Sequence, residues 1–200
     1  RPVSSAASDV YKRQGIDECD DYESLKYFVR IVSESGCKKF IVHARKAWLQ
    51  GLSPKENRNI PPLRYQDVYS LKKDFPHLTI EINGGITNLE QISHHLQFID
   101  SVMLGRIAYN NPYLLATVDK DFYKSSTTPL TRYQIIENIL PYVEYWASHG
   151  LKLHSITRHL LSLFIGISGT KEWKRYITEN SHFIGQDSKA IINALSKIKS

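Results

Sequence analysis

The sequence predicts an α/β fold: the last three strands and helices of an incomplete (β/α)8 TIM barrel, followed by an all-α helical bundle domain. Three observations carry this expectation. Apolar runs closed by a polar or glycine residue recur at Phe40-Ile-Val-His43, Ile80-Glu-Ile-Asn83 and Val102-Met-Leu-Gly105, the pattern of parallel strands buried on both faces. Segments of helical length separate them. From residue 131 onward every apolar pattern has a helical period.

Taken in order, residues 1–14 stand apart. The stretch Ser4-Ser-Ala-Ala-Ser-Asp-Val-Tyr-Lys-Arg-Gln14 matches one reading frame of a transposon adapter used in preparing sequencing libraries, and a segment of that kind is excluded from fold reasoning. The natural sequence is then expected to begin at Gly15, with Gly15-Ile-Asp17 as the end of a truncated strand. An acidic loop leads into a helix whose apolar face is Leu25, Phe28, Val29 and Val32, and Gly36 ends it. After the strand at Ile41-Val42, residues 48–63 form a long loop, a size that is usually functional on a barrel top. A helix over 65–74 presents Val68, Leu71 and the following Phe75. Another over 88–97 presents Leu89, Ile92 and Leu96, with Thr87-Asn-Leu-Glu90 as its capping box. Asn111-Pro112 reads as the cap and first residue of a short helix. The barrel part is expected to span 15–123, a linker 124–130 and the helical domain 131–200, with helices over 131–149, 155–164, 170–178 and 188–198.

Composition bounds the class. The 200 residues are 42% hydrophobic and 23% charged, an ordinary globular balance. No run approaches the ~20 apolar residues of a membrane span, so no membrane partner is expected. Cys19 and Cys37 lack CxxC spacing and no secretory signal precedes them, which favours a cytoplasmic protein; no metal site is expected. The net charge of +6 is unevenly placed: residues 15–128 hold fourteen basic and fourteen acidic side chains, residues 129–200 nine and five. A basic helical part beside a neutral barrel part suggests an anionic macromolecule as partner.

Active sites of such barrels sit at the carboxyl ends of the strands. His43, Asn83, Gly84, Gly85, Gly105 and Arg106 all fall there. Gly84-Gly85 would let the backbone approach an anionic ligand, and Gly105-Arg106 would add a second approach and a fixed positive charge.

The strings His43-Ala-Arg-Lys-Ala-Trp-Leu49, Gly51-Leu-Ser-Pro-Lys-Glu-Asn-Arg58, Ile60-Pro-Pro-Leu63, Asn83-Gly-Gly-Ile86 and Gly105-Arg106 together resemble the A-type tRNA-dihydrouridine synthases. The similarity continues through Ile156-Thr-Arg-His159 and Trp173-Lys-Arg-Tyr176. This resemblance implies an FMN-binding barrel joined to a helical tRNA-binding domain, with NADPH as reductant of a uridine in the D-loop of tRNA. Flavin would pass hydride to C6 of the uracil while a cysteine protonates C5. His43, Asn83, Gly84, Gly85, Gly105 and Arg106 would be the FMN ligands. The family's flavin-contacting lysine lies four residues before the glycine matched by Gly15, a place held here by Tyr11, and its catalytic cysteine lies further upstream. Neither Cys19 nor Cys37 matches it, so no catalytic residue is assigned. The chain is expected to be an inactive fragment of the enzyme.

The resemblance also suggests RNA contacts from Lys55, Glu56, Arg58 and Asn59 in the long loop and from Lys171, Lys174 and Arg175, which share one helical face. Two alternatives are another FMN barrel oxidoreductase of a small molecule, such as a dihydroorotate dehydrogenase, and a non-catalytic RNA-binding fragment. The basic tail and the Lys55-Glu-Asn-Arg58 loop have no use in the former.

Overall fold

Parallel pairing of four short strands sets the architecture of the first half of the chain. The computed structural model describes residues 9–13, 21–46, 48, 51–53, 55–182 and 188–199. Strands β1 (Asp9–Arg13), β2 (Lys39–His43), β3 (Thr79–Asn83) and β4 (Ser101–Met103) form one sheet in the order β1-β2-β3-β4, every neighbour parallel. Helices α1 (Tyr22–Glu34), α2 (Tyr65–Asp74) and α3 (Leu89–His95) supply the crossovers. Right-handed crossovers that always step in the same direction place their helices on one face. That is the winding of a barrel wall, whereas a doubly wound sheet reverses its order at the centre.

Two expectations change here. A fourth strand is present, and its residues Asp9–Arg13 fall in the segment set aside as adapter-derived; their backbone pairs with Lys39–His43 in register. A parallel ladder needs only backbone groups in an extended segment, so this pairing does not depend on where the residues come from. The predicted strand end Gly15-Ile-Asp17 lies outside the described residues. The strands are also not covered on both faces. Phe40, Val42, Ile80 and Ile82 are fully buried, while Lys39, Ile41, His43 and Glu81 between them are half-exposed. The apolar set faces the helices. The alternate set carries a polar ladder, with Lys39 Nζ 3.4 Å from Glu81 Oε2 and Ser101 Oγ donating to the same oxygen at 3.0 Å.

Helix α1 starts where Asp21 caps it, its carboxylate accepting from Ser24 N at 2.7 Å, and Gly36 at φ +97° follows its end. Leu25 and Val29 are its buried residues. Helix α2 buries Val68, Tyr69 and Leu71. The cap of α3 is one residue later than expected and is not a capping box: Asn88 is the cap and accepts from Gln91 N, while the Gln91 amide oxygen accepts from N and Oγ1 of Thr87, the residue before the cap. Asn is at least as good a cap as Thr.

The chain divides into two compact units, residues 1–105 and 106–200. The second contains only helical elements among its described residues: α4 (Arg106–Asn110), a 3-10 turn at Pro112–Thr117, α5 (Val118–Tyr123), α6 (Arg132–Ser148), α7 (His154–Thr157), α8 (Thr170–Asn180) and α9 (Lys189–Leu195). Residues 106–123, expected to belong with the barrel, pack in this unit. Tyr113 donates to Leu130 O at 3.1 Å, and the Arg132 guanidinium lies 3.7 Å over its ring. Thr131 and Gln134 make a reciprocal capping box at the start of α6. The core is built on Trp173, Phe164, Ile136, Leu153, Ile177 and Ile191, and the Trp173 and Phe164 rings are 4.9 Å apart. The helix expected over 155–164 is shorter, with α7 ending at Thr157 and turns following.

Gly169 and Gly166 give a controlled test of this packing. Both have positive φ, +92° and +81°. A Cβ on Gly169 would overlap Lys197 O and lie 2.9 Å from Ile198 Cα, whereas one on Gly166 would meet nothing within 4 Å. Gly166→Ala should cost about 1–2 kcal/mol, the left-handed penalty alone. Gly169→Ala should cost about 1–3 kcal/mol more, because backbone must move. Urea unfolding of the two variants measures the difference, and equal losses would contradict the packing.

Candidate functional site

The carboxyl ends of β2 and β3 lie side by side. Their register pairs His43 with Asn83, and the ladder continues one step beyond, Ala44 N donating to Asn83 O at 2.8 Å. His43, Asn83, Gly84 and Gly85 are thereby brought together, as the sequence suggests. The His43 ring rests on Gly84: a Cβ there would lie 3.0 Å from His43 Cε1 and 3.2 Å from Nδ1.

The tautomer of His43 follows from its neighbours. Arg45 N donates both to His43 O at 2.8 Å and to His43 Nδ1 at 3.2 Å. With Nδ1 accepting, the ring proton sits on Nε2, which makes that nitrogen the donor. Asn83 is buried and ties β3 to β4, its Nδ2 donating to Met103 O at 2.9 Å.

Gly84 and Gly85 have φ of +115° and +71°. A Cβ on Gly85 would overlap Leu63 Cδ1 and fall 3.0 Å from Tyr65 Oη, so packing alone already demands glycine. What suits the turn to an anion is the Gly85 amide: Gly85 is exposed, and no acceptor among the described residues takes its N–H. Gly105 differs, since a Cβ there would meet nothing within 4 Å. Among the described residues of its own unit nothing requires glycine at that position. Arg106 begins α4 and is exposed.

The long loop is anchored from beneath by a residue the sequence reading used only as part of a motif. Arg45 is buried, and its Nη1 donates to Asn59 O at 2.8 Å and to Pro61 O. Arg45 also bridges Leu63 in antiparallel fashion, and Arg64 N donates to Ala44 O at 2.7 Å. The loop therefore leaves and returns to one strand end. Within it, Asn57 braces Trp48, its Oδ1 accepting from Trp48 N at 2.8 Å and its Nδ2 donating to Trp48 O.

Among the loop residues expected to meet RNA, Lys55, Glu56 and Asn59 are exposed. Glu56 Oε2 is engaged by Ser53 N at 2.8 Å and Ser53 Oγ at 2.6 Å. Those two hydrogen bonds hold its carboxyl below the usual range, so Glu56 shapes the loop through Oε2. Arg58 lies in the 3-10 turn Glu56–Arg58.

In the second unit, Lys171 and Arg175 are exposed and Lys174 half-buried on α8, with Trp173 and Ile177 on its buried side. The face is mixed rather than purely cationic. Glu172 and Glu179 line a shallow depression with Arg175, Tyr176 and Lys197. Among the described residues no helix is long and apolar enough to cross a membrane, and no cluster of His, Cys, Asp or Glu could hold a metal ion.

A profile of the family described as Dihydrouridine synthase (Dus) matches residues 8–199. The tRNA-dihydrouridine(20/20a) synthase of Synechocystis sp. is 56% identical over 190 residues, covering 95% of this chain and 57% of the relative. That of Vibrio vulnificus is 52% identical over 190 residues, 94% of this chain and 58% of its own length. That of Escherichia coli is 51% identical over 199 residues, 99% and 58%. The chain spans less than two thirds of the length of these curated relatives.

The anchoring role of Arg45 gives a prediction. Lysine cannot span two carbonyls as the guanidinium fork does, and a hydrogen bond to a charged group contributes about 1.5–3 kcal/mol. Arg45→Lys should therefore raise amide hydrogen exchange over residues 48–63 by at least tenfold while leaving α8 and α9 unchanged. Unaltered exchange in the loop would remove Arg45 as its anchor.

Proposed function

The chain belongs to the dihydrouridine synthase family, and we propose that the protein reduces uridine to 5,6-dihydrouridine in the D-loop of tRNA, with FMN as cofactor and NADPH as reductant. The observation that carries this reading is the strand-end group itself. His43, the buried Asn83 and the Gly84–Gly85 turn lie together where β2 and β3 end, and the family relationship supplies the chemistry for which that group is suited. Bound flavin would supply hydride transfer.

The residues present have separable tasks. The Gly84–Gly85 turn offers a backbone N–H to the cofactor phosphate, and His43 would be a ligand of the cofactor. Arg106 as the phosphate's counter-charge rests on the Gly105-Arg106 string. Asn83 holds the ends of β3 and β4 together. The target uridine must leave its stack, which the unpaired D-loop makes less costly than a duplex would.

Proton donation has no candidate among the described residues. The Cys37 thiol is buried before the start of β2, 3.3 Å from Lys39 O, at the opposite end of that strand from His43. Residues 131–200 would form the tRNA-binding helical domain, with Lys171, Lys174 and Arg175 on phosphates and Lys55, Glu56, Arg58 and Asn59 on the D-arm.

Incubation of the full-length protein with unmodified tRNA, FMN and NADPH should yield dihydrouridine in the D-loop, read by nucleoside mass spectrometry, and residues 1–200 alone should yield none. No product from the full-length protein would refute the reaction. For the RNA face, replacing Lys171, Lys174 and Arg175 together by Ala in the full-length protein should weaken tRNA binding without changing FMN content. The slope of log affinity against log salt should fall by about 0.7 to 0.9 per contact, hence by roughly two to three. Parallel lines of equal slope would rule out the phosphate role.

A further inference from the structure

Tyr65, the first residue of α2, donates from Oη to Gly84 O at 2.8 Å. The ring is held in place. His95 meets it edge-on with centroids 4.5 Å apart, and buried His95 shares a 2.7 Å hydrogen bond between its Nδ1 and Tyr69 Oη. The Tyr69 ring in turn stacks on Phe98 at 4.5 Å. Burial, with His94 beside it, pushes His95 below the usual imidazole range, which favours the neutral ring in this packed group. The Tyr65 hydroxyl is thus presented by a packed ring rather than by a mobile surface side chain.

A trans peptide is planar, with its C=O and N–H pointing to opposite sides. Holding the Gly84 carbonyl on Tyr65 fixes the Gly85 N–H pointing away from that hydroxyl. Two adjacent glycines would otherwise let this peptide flip, since neither resists either sign of φ. A flipped peptide would present a carbonyl oxygen where the amide now points, and an anion there would be repelled instead of bound.

We propose that Tyr65 is a positioning residue for the cofactor phosphate: its hydrogen bond to Gly84 O holds the Gly84–Gly85 peptide in the orientation that aims the Gly85 N–H at the phosphate. Leu63 and His43 pack the same turn, but among the described residues only Tyr65 grips its carbonyl. The inference rests on the reading that the FMN phosphate sits on this turn.

The test compares FMN with riboflavin, which lacks the phosphate, in the full-length protein. Wild type should bind FMN more tightly than riboflavin, and in a sample with glycine labelled with nitrogen-15 the Gly85 amide resonance should move with FMN and not with riboflavin. If the Gly85 resonance moves with neither or with both alike, the phosphate is not at this turn and the underlying reading fails. With that established, Tyr65→Phe should weaken FMN binding about three- to tenfold, the span of one net hydrogen bond, leave riboflavin binding unchanged, and shift the phosphorus-31 resonance of bound FMN. Equal weakening of both ligands would make Tyr65 a general prop, and no change in either would make it irrelevant. Both outcomes overturn the proposal while the phosphate reading stands. If Phe at this position prevents folding, 3-fluorotyrosine at position 65, a stronger hydroxyl donor on the same ring, should tighten FMN relative to riboflavin. An unchanged ratio there would overturn the proposal.

Discussion

The parallel pairing of β2 with β3 is the constraint on which the candidate site depends. Its register sets His43 opposite Asn83, and the added bond from Ala44 N to Asn83 O carries the pairing past the last regular residue of each strand. A slip of one residue would turn His43 toward the helices and bring Val42 or Ala44 to the mouth, because side chains alternate faces along a strand. The apolar residues Phe40, Val42, Ile80 and Ile82 guard against that slip, since all four are fully buried and would have to surface. Packing on one face of the sheet thus specifies the chemistry presented at its end.

The sequence made the strand ends legible because they combine two strong local signals, an apolar run and an abrupt change to His, Asn or Gly. Helix α2 was equally plain from Val68, Leu71 and Phe75. What was misread follows from non-local facts. The strand runs looked buried on both faces, yet Lys39, Glu81 and Ser101 form a polar ladder on the second face, an arrangement visible only when three strands are aligned. The cap of α3 shifted to Asn88 because two adjacent residues can both cap, and sequence spacing does not rank them when a Gln stands one place beyond the Glu.

The residues that grip the backbone around the candidate site are hidden in the sequence for a related reason. In the sequence Arg45 is one letter of a motif and Tyr65 the start of a helix, since nothing local distinguishes a side chain aimed at a distant carbonyl. Their partners are Asn59, Pro61 and Gly84, backbone acceptors whose identity in sequence carries no signal. The usable hint was compositional: an arginine directly after a strand end in an otherwise apolar string needs acceptors when buried, and the only long segment nearby that could supply them was the loop itself.

Arg45 and Tyr65 also explain how a site built on glycine and loop can be well defined. Ordering backbone costs roughly 1–2 kcal/mol per residue, and neither the Gly84–Gly85 turn nor the described residues of 48–63 belong to an extended regular element that would offset it. Buried or packed donors gripping main-chain oxygens act where apolar packing cannot, because they fix the direction of a peptide as well as its position. Leu63 excludes any side chain from Gly85, but an excluded volume leaves the peptide free to rotate; the Tyr65 hydroxyl removes that freedom. The precision of the strand-end group therefore comes from an inner layer of polar grips on backbone, set upon a sheet whose register is fixed by its apolar face.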